Sequence, residues 1–260
     1  MKPFKYKENL IYYQVEGEGE PLLLLHGFLE NSTMWKDFAE KWKKSKLVIS
    51  LDLPGHGNTP PQAYLHSMDL YAQICVALLL HLGVEKANVV GHSMGGYVGM
   101  ELLHQNPKLI EQLVLLNSTA LPDSEARKTE RNRAIQAIQK YPDAFVQMAV
   151  KNLFLVEDQE RLEGAINHAI IEAKKCSQQG IIATLEGLKS RKNHTATLAN
   201  TKVSTTLVAG KKDQVVAFEA TKQLAKETKT RLVSLPGGHM SHLEFPETTF
   251  QVISNLIQNQ

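Results

Sequence analysis

Residues 87–95 read Ala-Asn-Val-Val-Gly-His-Ser-Met-Gly, an apolar run of strand length that leads directly into a serine flanked by glycines. Helical spacing follows from Met94, so Ser93 is predicted to lie at a tight strand-to-helix turn. Such a turn holds a serine in a sparsely populated backbone conformation, and Gly91 and Gly95 omit side chains that would collide with the adjacent strand and helix. The pattern predicts that the Ser93 hydroxyl stands above a sheet as a nucleophile.

A serine hydroxyl is a weak nucleophile unless a nearby base accepts its proton, and histidine is the usual base. His239 follows the last apolar run, 231–235, and a Gly-Gly turn, which places it at the carboxyl edge where open α/β sheets form their sites. His242 lies nearer to the following helical stretch. We predict His239 as the base and interpret His242, the remaining alternative, as a surface residue or a neighbour of the base.

The base needs an acid that orients it. Asp213 follows another apolar run, 206–209, and a short turn at 210–212, again at a carboxyl edge. Its position also satisfies the chain order of nucleophile, acid and histidine. We predict Asp213 as the acid, and an ordinary surface turn residue is the alternative.

Acyl transfer also requires hydrogen-bond donors for an oxyanion. Two backbone amides are predicted to supply them. One belongs to Met94, directly after the nucleophile, and the other to Phe28, in the His26-Gly27-Phe28 turn that leaves the apolar run 21–25. Because the donors are main-chain groups, the turn matters more than the identity of residue 28.

Apolar runs of strand length alternate with longer helical stretches, a pattern typical of parallel strands covered by helices on both faces. Residues 4–15 alternate weakly and predict an antiparallel edge pair. Parallel strands are predicted at 21–25, 47–51, 87–90, 113–116, 206–209 and 231–235. Helices are predicted at 32–43, 68–82, 94–105, 217–226 and 248–258. The predicted fold class is therefore α/β.

The stretch from about Ala120 to Leu198 contains no convincing strand, only helical spacing of apolar residues. It is too long for a connection and too apolar for a disordered linker, so we predict a helical lid, residues 120–199, inserted into a core of residues 1–119 and 200–260. Each of four apolar side chains in the lid either lines a substrate pocket or belongs to the lid's own core: Phe145, Met148, Leu153 and Phe154.

The composition excludes several classes of function. The 260 residues carry a formal net charge of +2, without the cationic surplus that phosphate-backbone binding needs, so no nucleic-acid partner is expected. The longest apolar run, 76–80, is too short to cross a bilayer, and we expect a cytoplasmic protein with no membrane partner. Cys75 and Cys176 lie in helical stretches and are interpreted as buried thiols, so neither a metal nor a disulfide is expected.

Five motifs together resemble those of the α/β-hydrolase superfamily and follow the same order nearly end to end: residues 26–28, 52–57, 91–96, 210–213 and 238–239. The resemblance implies an eight-stranded, mostly parallel sheet, a cap inserted after the sixth strand, and a triad of Ser93, Asp213 and His239. Serine as nucleophile argues against the similar dehalogenases and epoxide hydrolases, which use aspartate. Tyr97 argues against the menaquinone-pathway synthases, which usually have arginine there, without excluding them.

These residues favour a serine hydrolase that acts on carboxylic esters of small to medium size through an acyl-enzyme, with no cofactor and a small molecule as its partner. Members of the superfamily that resemble this chain use the same triad for C–C bond hydrolysis, lyase reactions or peracid formation, and fold and triad do not separate these alternatives. A further hypothesis is a non-catalytic protein whose lidded pocket holds a ligand. The sequence indicates neither the physiological substrate nor the oligomeric state.

Overall fold

The computed structural model describes residues 1–258, which form one sheet with helices around it. Within these residues the sheet has eight strands: β1 (Lys2–Tyr6), β2 (Asn9–Glu16), β3 (Glu20–Leu25), β4 (Lys46–Leu51), β5 (Ala87–His92), β6 (Ile110–Leu116), β7 (Ser204–Gly210) and β8 (Arg231–Leu235). Their spatial order is β1-β2-β4-β3-β5-β6-β7-β8. The pairs β1 with β2 and β2 with β4 are antiparallel, and all other neighbours are parallel. The predicted fold class is confirmed.

The described part of the chain also contains eleven α-helices: α1 (Lys36–Trp42), α2 (Met68–His81), α3 (Met94–Gln105), α4 (Glu125–Lys140), α5 (Pro142–Lys151), α6 (Glu163–Ala173), α7 (Gln178–Lys189), α8 (Thr195–Asn200), α9 (Phe218–Thr228), α10 (Ser241–Glu244) and α11 (Pro246–Gln258). The helix predicted from residue 32 begins instead as a 3-10 turn, because the Asn31 side chain accepts a hydrogen bond from the Thr33 amide and tightens the chain there. Among residues 1–258, no helix has both the length and the apolar character that crossing a membrane requires.

Strand β3 shows why this sequence forms a sheet that is buried on both faces. Leu23 and Leu25 pack in one core, with α2 and α3, whereas Leu22 and Leu24 pack in a second core, with α1 and α11. All four leucines are fully buried. Because successive side chains of a strand point to opposite faces, a strand between two helical layers must be apolar at every position. The sheet is thus a packed platform, and its carboxyl edge is free to carry a site.

Five helices, α4 to α8, lie between β6 and β7, where the sequence predicts the lid. Helices α4 to α7 share a third core, to which Leu29 and Met240 contribute from outside the inserted segment, whereas Leu198 of α8 packs in the core of α2 and α3. Within the third core lie Phe145, Phe154 and Cys176, while Cys75 is buried in a different core. Both thiols are free, and burial raises the pKa of each to about 12.

Helix α7 fixes the inserted segment to the rest of the chain. A Cβ atom on Gly180 would lie 2.7 Å from the Cα atom of Gly55, so the two backbones approach more closely than any side chain allows. The Ala183 carbonyl accepts a hydrogen bond from the His66 amide at 2.9 Å. The inserted helices are therefore bound to the core by main-chain contacts as well as by apolar packing.

Candidate active site

Ser93 is the single residue between the end of β5 at His92 and the start of α3 at Met94. Its backbone angles, φ 49° and ψ −113°, lie in a region that residues other than glycine rarely enter. The Ser93 amide donates a hydrogen bond to the Leu116 carbonyl at 2.9 Å, and the Ser118 hydroxyl donates to the Ser93 carbonyl at 2.7 Å. The neighbouring strand β6 thus holds the turn in place.

The two glycines of the motif are required by close packing at this turn. A Cβ atom on Gly91 would lie 2.6 Å from the amide nitrogen of Gly96, and a Cβ atom on Gly95 would lie 2.8 Å from the carbonyl oxygen of His26. Real Cβ atoms do not approach other atoms so closely. Any side chain at either position would therefore push α3 away from β5 or β3.

His239 lies between β8 and α10 and reaches back to the serine. Its Nε2 atom is 2.9 Å from Ser93 Oγ. Its Nδ1 atom is 2.9 Å from Oδ2 and 3.1 Å from Oδ1 of Asp213, which follows β7. The structure thus brings together, at one edge of the sheet, the three residues predicted as nucleophile, base and acid.

Backbone amides and an asparagine hold the Asp213 carboxylate. Its Oδ1 atom accepts hydrogen bonds from the amides of Val215 (2.8 Å) and Val216 (2.9 Å), and its Oδ2 atom accepts one from Asn117 Nδ2 (3.0 Å). Burial raises the pKa of Asp213, but the charge of His239 and these hydrogen bonds outweigh burial, so the pKa is lowered overall. The carboxylate is therefore ionised at neutral pH.

Asn117 is a site residue that the sequence reasoning missed. It follows β6 with a left-handed backbone (φ 47°), a conformation that asparagine tolerates better than most residues. Besides Asp213, its side-chain amide donates to the Gly238 carbonyl at 3.0 Å. Asn117 therefore joins the loop that carries Asp213 to the loop that carries His239. The available signal was a polar residue directly after an apolar strand at the same carboxyl edge.

The hydrogen-bond partners assign the protons of the imidazole. An ionised Asp213 only accepts hydrogen bonds, so Nδ1 of a neutral His239 carries the proton and Nε2 carries the lone pair. The Ser93 hydroxyl then donates to Nε2. This arrangement can transfer the hydroxyl proton to His239 while the serine oxygen attacks an electrophile.

Phe28 and Met94, whose amides are predicted as oxyanion donors, both line the cavity next to Ser93. Met94 is the first residue of α3, so its amide has no acceptor within the helix. Phe28 lies in the loop after β3, and the preceding Gly27 amide donates to Glu30 Oε2 at 2.7 Å, which fixes the turn. Within residues 1–258, neither the Phe28 nor the Met94 amide donates to another backbone group outside regular secondary structure.

The cavity at Ser93 is small, about 70 Å³, and its walls come from both the core and the inserted helices. Ser93 and His239 form one side, while Arg127, Arg131 and Leu153 belong to the inserted segment. Two larger cavities share walls with it. A cavity of about 350 Å³ shares Arg127 and Arg131, and a cavity of about 420 Å³ shares Leu153. The cavity at Ser93 therefore borders two larger cavities.

A family model described as alpha/beta hydrolase fold matches residues 20–162, more than half of the chain. The chain belongs to the α/β hydrolase fold family. It is 36% identical to the uncharacterized protein Rv2715 of Mycobacterium tuberculosis over 106 residues, which is 41% of this chain but only 31% of the length of that protein.

Two proteins are similar to this chain over nearly its whole length. One is an (E)-2-((N-methylformamido)methylene)succinate hydrolase of Acinetobacter baylyi, 25% identical over 93% of this chain and 92% of that protein. The other is the structure of a thermophilic esterase of Thermogutta terrifontis with malate bound, which superimposes with a TM-score of 0.90 at 25% identity and covers 96% of this chain and 93% of that one.

A second histidine of the chain, His92, pairs with a second buried carboxylate. Its Nδ1 atom lies 2.8 Å from Glu30 Oε2, and its Nε2 atom lies 3.0 Å from the main-chain carbonyl oxygen of His239. Burial lowers the pKa of His92, but Glu30 outweighs burial and the pKa is raised. Burial likewise raises the pKa of Glu30, but His92 outweighs it and the pKa falls to about 2. The two side chains therefore form an ion pair.

Glu30 and His92 connect the turn of Phe28 to the loop of His239. Glu30 accepts from the Gly27 amide on one side, and His92 donates to the His239 carbonyl on the other. His92 is not among the site residues that the sequence predicts, and neither is Glu30. Only a glutamate a few residues after a glycine turn could have indicated it.

His242 is buried, where the sequence suggested a surface residue or a neighbour of the base. Its ring lies 4.9 Å from that of His92, and its Nε2 atom lies 3.7 Å from Glu30 Oε1. Burial and the charge of His92 lower the pKa of His242 to about 3, so the ring is neutral. Glu30, His92 and His242 have the composition of a metal site. However, both ring nitrogens of His92 are already hydrogen-bonded, so we assign the group as a structural network.

Of the four side chains predicted for the pocket, the structure brings one to the Ser93 cavity, within the described residues. Leu153 lines that cavity, whereas Phe145 and Phe154 are buried in the core that the inserted helices share. Met148 is 55% exposed. Phe145 and Phe154 therefore follow the second alternative, because the inserted segment needs its own apolar core, and Met148 lines none of the three cavities.

Proposed function

We propose that this α/β hydrolase cleaves carboxylic esters of small to medium size, with Ser93 as nucleophile, His239 as general base and Asp213 as the acid that orients it. One observation carries the proposal. A continuous series of hydrogen bonds runs from Ser93 Oγ through both ring nitrogens of His239 to Asp213 Oδ2, with each distance at 2.9 Å, and Ser93 lines a cavity. Geometry of this kind is what activates a serine hydroxyl.

The reaction would proceed through an acyl-enzyme. Ser93 Oγ forms a bond to the carbonyl carbon of the ester while His239 Nε2 takes the hydroxyl proton, and the carbonyl electrons move to the oxygen. The amides of Phe28 and Met94 would donate to this oxyanion. The C–O bond to the alcohol then breaks, and His239 returns the proton to the leaving oxygen. Water attacks the acyl-enzyme in the same way and releases the acid with Ser93 restored.

The inserted helices would act as a cap that limits substrate size. Arg127, Arg131, Leu153 and Leu188, all from residues 120–199, line the Ser93 cavity together with core residues. A volume of about 70 Å³ at the serine, bordered by cavities of about 350 and 420 Å³ that share lining residues with it, suits a compact ester with an arm in each direction. A relative named as a hydrolase and a similar structure named as an esterase support the same class of chemistry.

The proposal is tested with para-nitrophenyl esters from acetate to palmitate and with emulsified triglyceride, each assayed on the wild type and Ser93→Ala. We expect the highest kcat/KM among short to medium chains, with no increase in rate when the substrate forms an interface. Ser93→Ala should lose on the order of 10⁶ in kcat if the triad acts as a unit. A maximum at palmitate, with a steep rise above its solubility limit, would indicate a lipase instead. Full activity in Ser93→Ala would remove the nucleophile from its role.

A further inference from the structure

The walls of the Ser93 cavity carry more positive than negative charge. Its charged lining residues are Arg127, Arg131 and Glu30, together with His92 and His239. Glu30 is already balanced by its ion pair with His92. Among the described residues that line this cavity, Arg127 and Arg131 are therefore the charged side chains that no acidic lining residue balances.

The neighbouring cavity of about 350 Å³ extends the same surplus. Beside Arg127 and Arg131 it is lined by Arg191, Asp123 and Glu130, so three cations face two carboxylates. A substrate arm that leaves the serine in this direction enters a cavity that three arginines line.

We propose that the substrate is an ester with a carboxylate on one arm, and that Arg127 and Arg131 bind this carboxylate. The inference rests on the proposed ester hydrolysis at Ser93 and specifies its substrate class. A planar guanidinium offers several N–H donors in the geometry that a carboxylate accepts, which makes arginine the side chain best suited to this task.

Arg131 is held in a fixed orientation by a buried acid. Its Nε atom donates to Asp123 Oδ2, and its Nη2 atom lies 3.3 Å from Asp123 Oδ1. Asp123 is also bound by Arg191, so one carboxylate is shared by two guanidinium groups. Among the hydrogen bonds of residues 1–258, none involves Arg131 Nη1, and this atom can therefore serve a ligand. A preorganised donor loses little entropy when it binds.

Arg127 has a weaker partner that a ligand can replace. Its Nη1 atom donates to Glu130 Oε2 at 2.8 Å, one turn along the exposed side of α4, where the two side chains are 41% and 57% exposed. Exposed pairs of this kind contribute little, because water screens them and both long side chains lose entropy. Exchange of Glu130 for a substrate carboxylate therefore costs little.

Two pairs of isosteric esters test the inference. The first pair is the para-nitrophenyl monoester of glutaric acid and the ester in which a methyl ketone replaces the carboxylate. The second pair moves the charge to the alcohol side: para-carboxyphenyl acetate and para-acetylphenyl acetate. In at least one pair, we expect the wild type to favour the anionic ester by about tenfold in kcat/KM at low salt, the effect of about one charge-assisted hydrogen bond. The preference should decrease as salt is added.

Substitutions on α4 separate recognition from general charge. Arg127→Gln should reduce the anionic preference to about twofold or less, whereas Glu130→Gln, which removes the competing carboxylate, should increase it. Arg133→Gln is the matched control, because this exposed arginine on the same helix lines none of the three cavities; its rates and its preference should equal those of the wild type. Equal rates on both members of both pairs would overturn the inference, as would a preference that Arg127→Gln leaves intact.

Binding of glutarate to Ser93→Ala, measured by calorimetry, decides the inference independently of turnover. We expect binding that weakens about tenfold when Arg127→Gln is added and that does not change with Arg133→Gln. If the wild type hydrolyses neither member of either pair while glutarate still binds through Arg127, the proposed ester hydrolysis fails and the anion site stands. Absence of glutarate binding would refute the anion site even if neutral esters are hydrolysed.

Discussion

Two buried carboxylate–histidine pairs lie side by side in this protein, Asp213 with His239 and Glu30 with His92, and their imidazole rings are 5.2 Å apart. In each pair Nδ1 of the histidine contacts a carboxylate oxygen at 2.8 to 2.9 Å. The pairs differ at the other nitrogen. Nε2 of His239 faces the Ser93 hydroxyl, whereas Nε2 of His92 faces the main-chain carbonyl of His239 itself.

The difference shows that the hydrogen-bond partner of Nε2, and not the carboxylate at Nδ1, decides the role of each histidine. A hydroxyl can lose its proton to Nε2 and become a nucleophile, so His239 is suited to act as a base. A carbonyl oxygen only accepts, so His92 must keep a proton on Nε2 and, with another on Nδ1 toward Glu30, is held as a cation. His92 therefore positions the loop of the base and exchanges no proton with substrate.

Of the substitutions in the two buried carboxylates, the one at Asp213 is expected to have the larger effect. Asp213→Asn replaces an acceptor by a donor opposite His239 Nδ1, so the imidazole is held in the wrong tautomer with its proton toward Ser93. We expect kcat to decrease by roughly 10⁴ with little loss of stability. Steady-state kinetics with the best ester, together with thermal unfolding of the same variant, check this. A decrease of less than tenfold would point to a different acid.

At Glu30 the expected effect is smaller and has a pH signature. Glu30→Gln removes the charge that balances His92 and loosens the link between the turn of Phe28 and the loop of His239. We expect about a tenfold decrease in kcat from the displaced base and oxyanion donors. At neutral pH the lost ion pair should also cost stability, by about 3 kcal/mol if the pKa of Glu30 falls from 4.5 to about 2 on folding.

The direction in which stability depends on pH follows from the shifted pKa values of Glu30 and His92. The pKa of Glu30 is lowered, so its contribution is fully present above 4.5 and is lost as pH falls through about 2. The pKa of His92 is raised, so its contribution is fully present below 6.5 and is lost as pH rises through the raised value. Urea unfolding of the wild type should show this acid-side loss between roughly pH 5 and 2, and Glu30→Gln should show a smaller loss, since other carboxylates with a lowered pKa, such as Asp213, remain. Identical acid slopes in the two proteins would refute the ion pair.

The smallest effect is expected at His242, which contacts the Glu30–His92 pair without a hydrogen bond to either residue. Neither of its ring nitrogens has a hydrogen-bond partner within residues 1–258. We expect His242→Asn to retain kcat/KM within about fivefold, whereas His239→Ala should lose on the order of 10⁶ in kcat. Parallel assays of the two variants decide whether His239 or His242 acts as the base. The reverse ranking would place the base at residue 242.

The sequence predicted most of the sheet and the three aligned residues because both depend on local patterns. The apolar run 22–25 of β3, Gly91 and Gly95 each leave a readable signal, and Ser93, Asp213 and His239 all follow strand ends. Asn117 and Glu30 were missed because their roles arise from loops that meet only in the folded chain. The faces of the inserted helices were also not predictable, since Phe145 and Leu153 are equally apolar in sequence but only Leu153 reaches the cavity.

Labelling with a fluorophosphonate, followed by mass spectrometry of the digested protein, tests the central claim most directly. The reagent forms a bond only with a serine that a neighbouring base activates. We predict stoichiometric, covalent modification of Ser93, no labelling of Ser93→Ala, and strongly slowed labelling of His239→Ala. A wild-type protein that remains unmodified, or that carries the adduct on a residue other than Ser93, would contradict the account.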